Sequence, residues 1–142
     1  MQTYFEKDFV TIGYDQGDHI IIVKWKLTPT SAEFREGLNT LTTIIEHFKT
    51  GKVIGDTTHM GAIHPDDQQW SATEWFQSAL KSGLSQLAFI VPSDIFTQMS
   101  LDGAKSQVVG EHPIAYFENM ESAIDWLKKS SNSNISSSPS NQ

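Results

Sequence analysis

The chain has 142 residues, of which 38% are hydrophobic and 11% aromatic, and this length and apolar content suit one domain with a hydrophobic core. The absence of cysteine excludes disulfides, thiolate nucleophiles and cysteine-ligated metals, and it favours a reducing, cytoplasmic location. The net charge of −7 repels phosphate backbones, so nucleic acid is not an expected partner.

The first 25 residues predict a hairpin rather than a targeting or membrane segment. No basic region followed by a long apolar run is present, and the apolar run at residues 20–23 is far too short to span a bilayer. We therefore expect no signal peptide and no integral membrane insertion. Residues 3–12 are typical of an edge strand, turn-forming residues follow at 15–18, and residues 19–25 predict a more buried strand.

After this hairpin the hydrophobic period becomes that of an α-helix. Apolar residues recur at spacings of four and three, at Phe34, Leu38, Leu41, Ile45 and Phe48. Thr30 and Glu33 have the spacing of a capping box, and Gly51 is predicted to end the helix. Residues 52–56 predict a short buried strand, with an interior position for residues 53–55.

A second helix is predicted between Pro65 and Lys81, with Gly83 closing it. Two starts are possible. Pro65 suits a first helical position and is followed by two acidic residues, whereas Ser71 with Glu74 has the spacing of another capping box. A short turn that kinks into the main helix would satisfy both signals.

The rest of the folded chain alternates strands and helices. Residues 87–91 predict a core strand, Ser93 can cap a helix, and residues 102–110 are expected to form a loop or a frayed helix end. Residues 113–117 predict a last strand, and Asn119 is the expected cap of a final helix.

The element order predicts an α/β fold. We expect a single, mostly parallel five-stranded sheet with an antiparallel N-terminal hairpin and four helices that cover both faces. This domain is predicted to span residues 1–129. Residues 130–142 are rich in serine and asparagine and are expected to be disordered, because they cannot bury enough apolar surface to offset the entropy of ordering.

Several stretches of this sequence resemble the STAS domain, and more specifically its SpoIIAA-like (STAS/SEC14-like) family. The resemblance lies in "SAEFREGLNTLTTIIEHFK", "KVIGDTTHM", "DQQW…EWF", "LAFIVPSDIF" and "AYFENMESAIDWL", and it covers most of the chain up to Lys129. It implies the same fold and a regulatory or small-ligand-binding module. Antagonists of this class carry an Asp-Ser-Ser-Gly-like motif with a phosphorylated serine, whereas the corresponding place here reads Asp56-Thr57-Thr58-His59.

This polar cluster is the candidate site, because ligands of open α/β sheets bind where strands end and helices begin. Asp56 would orient the loop, and Thr57 and Thr58 would offer hydroxyls for hydrogen bonding or phosphorylation. The alternative is that Asp56 and the threonines only bond local backbone groups and shape a turn. His59 completes the candidate set.

Metal binding and catalysis have weaker support in the sequence. A metal would need Asp56, His59, His64 and Asp66 or Asp67 to converge, but their spacing matches no compact motif. A hydrolase that uses Asp56 and His59 remains an alternative, although no nucleophile elbow or phosphate-binding glycine pattern is present. We expect no catalytic residues, no metal and no cofactor.

Two tryptophans extend the candidate site. Trp70 and Trp75 would lie about 140° apart on an α-helix, so one of them is expected to be exposed or under a loop, where it would offer apolar contact. The alternative is that both are buried against the sheet and the neighbouring helix.

We therefore predict a non-enzymatic, cytoplasmic module that binds a protein partner or a small molecule through the loop after the strand at residues 52–56. A homodimer is a further option that this prediction leaves open. The alternative function is a carrier of a small apolar, lipid-like ligand in a SEC14-like pocket.

Overall fold

The computed structural model describes residues 1–101 and 113–137, and its centre is one six-stranded sheet. The strands are β1 (Gln2–Glu6), β2 (Val10–Asp15), β3 (Ile20–Trp25), β4 (Lys52–Asp56), β5 (Gln86–Ile90) and β6 (Ile114–Phe117), and they lie in chain order. The first three strands pair antiparallel, and β3 to β6 pair parallel. The predicted α/β class is confirmed, but the sheet has six strands instead of five.

The additional strand comes from residues 3–12, for which the prediction of a single edge strand is wrong. The segment folds into β1 and β2, which pair with each other. The N–H of Lys7 donates to the carbonyl oxygen of Val10 at 2.8 Å and so reverses the chain at a place without glycine or proline. The hairpin between β2 and β3 is confirmed, with Val10 opposite Trp25.

Helix α1 (Ser31–Phe48) begins at the predicted capping box. Thr30 Oγ1 accepts the N–H of Glu33 at 3.2 Å, and Glu33 Oε1 accepts the N–H of Thr30 at 2.9 Å. The helix ends at Phe48, three residues before Gly51. Its cap is Lys49, which takes the left-handed conformation at φ 56° and donates its N–H back to the helix. The prediction that Gly51 itself ends the helix is therefore wrong by two positions.

Strand β4 is an interior strand, as predicted, with β3 on one side and β5 on the other. Its side chains alternate between the two faces of the sheet. Val53 belongs to the core cluster that includes the buried side of α1, whereas Ile54 packs in a second cluster with Ala123 and Leu127 of helix α5 (Met120–Ser137). Helices therefore cover both faces of the sheet.

The second predicted helix is continuous but changes its winding. It consists of α2 (Pro65–Trp70), a π-helix (Ser71–Trp75) and α3 (Phe76–Ser82). It starts at Pro65, with His64 Nδ1 accepting the N–H of Asp66 at 3.0 Å. The other possible start, at Ser71 with Glu74, lies inside this helix and forms the π-helical turn. Gly83, at φ 120°, closes it as predicted.

The C-terminal elements follow the predicted order. Helix α4 spans Ser93–Leu101, and the loop predicted at residues 102–110 lies outside the described residues. Asn119 Oδ1 accepts the N–H of Ser122 at 2.8 Å, which confirms the cap of α5. This helix continues past Lys129, where the disordered tail was predicted to begin. Extension of a helix that has already formed does not repeat the unfavourable nucleation step. Residues 138–142 are outside the description, and the domain boundary at 129 stays a prediction.

Candidate functional site

The loop after β4 is shaped by its own polar side chains. One carboxylate oxygen of Asp56 accepts both the backbone N–H and the hydroxyl of Thr58, at 3.0 and 2.7 Å. Thr57 turns towards the neighbouring strand, and its N–H and hydroxyl both donate to the carbonyl oxygen of Ile90, at 2.9 and 2.8 Å. Thr58 and His59 are exposed. Asp56 and Thr58 therefore have the turn-forming role that was the alternative to ligand binding, whereas the Thr57 side chain bonds the end of β5.

Most of the side chains considered as metal ligands are engaged with other groups. His64 Nδ1 accepts the N–H of Asp66, Asp67 faces Arg35, and Asp56 is bonded within its own loop. Within residues 1–101 and 113–137, no group of three or more histidine and carboxylate side chains is placed to hold a metal ion.

A buried carboxylate ties α2 to α1. Asp67 is only 4% exposed and accepts a short hydrogen bond from the Ser31 hydroxyl and one from Arg35 Nε at 3.1 Å. The Ser31 hydrogen bond is the main cause, with the Arg35 guanidinium, of a pKa of Asp67 below its ordinary value, although burial acts in the opposite direction. The same guanidinium lies 4.6 Å from the ring centroid of Trp70. This network sets the position of α2 beside α1.

Both tryptophans of the candidate site pack against the core. Trp75 is 5% exposed and donates its Nε1–H to the carbonyl oxygen of Leu38 at 2.8 Å. Trp70 is half-buried, with its ring centroid 6.4 Å from that of Phe34. The expectation that one would be exposed assumed α-helical periodicity. The π-helix between them has i→i+5 hydrogen bonds, which return residues five apart to the same side.

A cavity of about 400 Å³ lies between the sheet and the helices on the α1 side. Strands β3 to β6 contribute to its lining on one side, and α1, α2, the π-helix and α3 contribute on the other. The lining is mainly apolar and includes Val53, Leu87, Phe34, Leu38, Trp75 and Phe76. From the loop after β4, the cavity is lined by Thr57, Met60 and Ile63, so this loop has one side on the cavity and the other in solvent.

Two small residues help to leave this space open. Gly55 on β4 and Ala72 on the π-helix both line the cavity. A Cβ atom at Gly55 would lie 3.4 Å from Phe89 Cδ1, which is an ordinary van der Waals distance, so a methyl group would fit there. Ala72 is exposed as well as lining the cavity, which indicates that the cavity reaches the surface beside the π-helix.

No charged side chain lines the cavity among the residues that the structure describes. Its polar lining comes from Thr57, Gln68, Ser71 and Tyr116. Burial raises the pKa of the Tyr116 phenol above its ordinary value, so this group is neutral at physiological pH. The cavity can therefore take apolar groups and hydrogen-bonding groups, but its described lining has no partner for an ion.

A known protein family has a sequence model that matches most of this domain. The model of the SpoIIAA-like family matches residues 20–128, from β3 into α5. The chain belongs to the SpoIIAA-like family. This confirms the family resemblance of the sequence.

The SpoIIAA-like domain is also similar to the crystal structure of an uncharacterised protein of the DUF3478 family with a SpoIIAA-like fold, from Shewanella loihica PV-4. The two chains are 17% identical, the match covers 87% of this chain and 99% of that one, and the TM-score is 0.55. At this identity the similarity shows the fold alone. A comparison with curated proteins gave no match. The helices described in this SpoIIAA-like domain include none with the length and apolar character to cross a membrane.

The cavity brings together only part of the predicted site of the SpoIIAA-like domain. Thr57 and Trp75 line it, and Asp56 holds the loop from which Thr57 projects. Thr58 and His59 lie on the outer side of the same loop. Their function stays a prediction.

Several cavity residues were not predicted, among them Gly55, Met60, Ala72, Phe89 and Tyr116. An apolar side chain that faces a cavity has the same sequence period as one in a close-packed core, so the pattern does not separate the two cases. The available signal was Gly55, because a glycine in a buried strand marks either a close approach or open space.

Proposed function

We propose that this SpoIIAA-like domain is a non-enzymatic module that binds a small apolar ligand between its sheet and its helices. The observation that supports the proposal is the cavity of about 400 Å³ with a mainly apolar lining. This volume lies in the range of about 300 to 1,000 Å³ that is typical of small-molecule sites.

The energetics of packing support a ligand in this space. Protein interiors are close-packed, and few voids in them exceed the size of a water molecule. Apolar walls without neighbours lose dispersion contacts, and water inside such a space finds few hydrogen-bonding partners. A ligand that fills the cavity would restore these contacts and stabilise the folded chain.

The loop after β4 would form part of the binding site. Asp56 holds the turn through Thr58, and this places Thr57 and Met60 against the cavity. Trp75 supplies apolar contact from the π-helix. In this proposal the polar cluster shapes the binding site, and the ligand meets its inner side.

A neutral fluorescent probe, N-phenylnaphthylamine, tests the proposal. We expect saturable binding to the wild type and at least tenfold weaker binding to Ala72→Phe, because a phenyl ring at position 72 would enter the cavity where it reaches the surface. Gln77→Phe is the matched control, since Gln77 is exposed on α3 and does not line the cavity. Far-UV circular dichroism checks that both variants fold. Equal binding by all three proteins would contradict the proposal.

Native mass spectrometry provides an independent test. Freshly purified wild-type protein should carry an added small-molecule mass, and Ala72→Phe should carry less of it. A clean apo mass for the wild type, together with no probe binding, would count against a ligand-binding function.

A regulatory role of the loop is a second candidate, supported by the exposure of Thr58 and His59 beside the cavity residue Met60. In this candidate, filling the cavity alters the outer side of the loop, which a protein partner recognises. Phosphate on Thr58 would place a dianion beside Asp56 and open the turn. A protein partner, a homodimer and a cytoplasmic location remain predictions.

Amide hydrogen exchange of the loop tests this second candidate. Saturating N-phenylnaphthylamine should slow exchange at residues 57–63 in the wild type, and the Thr58→Ala variant, which leaves the cavity lining unchanged, should lose this effect while it still binds the probe. Exchange rates that do not respond to the probe in the wild type would rule out coupling between the cavity and the loop.

A further inference from the structure

The polar groups in the cavity are mostly committed as donors. The hydroxyls of Thr57 and Ser71 and one of the two amide N–H groups of Gln68 donate to backbone carbonyl oxygens at 2.8, 2.8 and 2.7 Å, respectively. What these side chains leave for a ligand is mainly the acceptor capacity of their oxygen atoms. The neutral phenol of Tyr116 adds a group that can donate or accept.

An anionic group inside the cavity would have no cation beside it among the described residues. Arg35 is bound to Asp67, and the ammonium of Lys52 donates to Gln86 Oε1 and to the carbonyl oxygen of Leu127 in α5, on the opposite face of the sheet. The net charge of −7 also repels anions. A cation would meet no carboxylate in the described lining. A charge of either sign would therefore be desolvated without a partner, which is costly.

We propose that the ligand of this cavity is uncharged and that its polar group is a hydrogen-bond donor such as a hydroxyl or an amine N–H. This inference rests on the proposed function and narrows it. It excludes ligands that place a carboxylate or a phosphate inside the cavity, and it selects apolar molecules that are alcohols, phenols or neutral amines.

Two probes that share one apolar body test the inference. N-phenylnaphthylamine is neutral, and anilinonaphthalene sulfonate carries the same ring system with a sulfonate. Binding in the cavity is measured as the part of the probe fluorescence that is present with the wild type and absent with Ala72→Phe. By this measure we expect the neutral probe to bind at least tenfold more tightly than the sulfonate.

A charge placed at the opening should change this preference. Ala72→Lys puts an ammonium group at the surface end of the cavity, and Ala72→Met adds a side chain of similar length without charge. We expect Ala72→Lys to raise the affinity for the sulfonate relative to the neutral probe, and Ala72→Met to keep the wild-type order.

The outcomes separate the two proposals. If the sulfonate binds in the wild-type cavity as tightly as the neutral probe, the ligand class is wrong and the cavity remains a binding site. If Ala72→Lys binds the two probes with the same affinity ratio as the wild type, the charge-based inference is likewise wrong. If neither probe gives a signal that Ala72→Phe removes, the proposed function fails and the ligand class fails with it.

Discussion

Replacement of Gly55 by alanine is expected to stabilise the protein, although Gly55 is buried in an interior strand. The new methyl group would lie 3.4 and 3.5 Å from two ring carbons of Phe89, without a clash. Burial of one methyl contributes about 0.8 kcal/mol. Because Gly55 does not have a positive φ, alanine can adopt its conformation and adds about 0.4 to 1 kcal/mol by restricting the unfolded chain.

The sum, about 1.2 to 1.8 kcal/mol, corresponds to a rise in Tm of about 4 to 6 °C for a chain of 142 residues. Urea unfolding followed by tryptophan fluorescence measures the free energy, and thermal circular dichroism measures Tm.

Gly51→Ala is the control, because a Cβ atom at Gly51 would lie 2.1 Å from the carbonyl oxygen of Gly83 and 2.6 Å from the backbone nitrogen of Ser85. This variant should lose about 1 to 3 kcal/mol or more through overpacking. Destabilisation of Gly55→Ala to a similar extent would refute the reasoning, since it would mean that the space beside Phe89 is already filled.

Three further predictions concern the groups around the cavity. Because the pKa of Asp67 is lowered in the folded protein, its carboxylate stabilises the fold above the unfolded pKa, and this stabilisation is lost as the pH falls through the folded pKa. The difference in unfolding free energy between wild type and Asp67→Asn, measured by urea unfolding, should therefore shrink below about pH 4. A difference that does not change with pH would contradict this prediction. Thr58→Val should lose about 0.5 kcal/mol of stability through the broken bond to Asp56, and Thr58→Ser should retain it; equal losses would show that the hydroxyl bond is not the cause. Trp75→Phe should cost about 1 to 3 kcal/mol, because the Leu38 carbonyl loses its buried indole donor and the smaller ring leaves a void; a neutral effect in urea unfolding would mean that the site repacks.

The local elements could be predicted from the sequence because their signals lie within a few residues. Thr30 and Glu33 satisfy each other's backbone groups wherever the helix packs, and Pro65 starts a helix by its own ring geometry. Residues 52–56 include a short apolar run that stops at an acid, which predicts a buried strand. The α/β class follows from the order of such elements.

The two N-terminal strands and the change in helical winding were not predictable in this way. The turn between β1 and β2 has no glycine or proline, and its Lys7 to Val10 hydrogen bond forms because both strands pair in the sheet. The segment Ser71–Trp75 is wound as a π-helix instead of an α-helix, and this winding lets Trp70 and Trp75 both pack against the core. That gain depends on distant residues, Phe34 and Leu38 of α1, and no local period encodes it.

The sequence by itself determined the α/β class, the N-terminal caps at Thr30 and Asn119 and the loop at Asp56, because these depend on neighbours along the chain. Only the tertiary structure decided that Thr57 and Trp75 line a common cavity while Thr58 and His59 face away from it. A cavity is the space left between elements that are far apart in the chain, and its size depends on how closely they approach. The contribution of a small residue such as Gly55 to this cavity therefore follows from the tertiary structure and not from its place in the sequence.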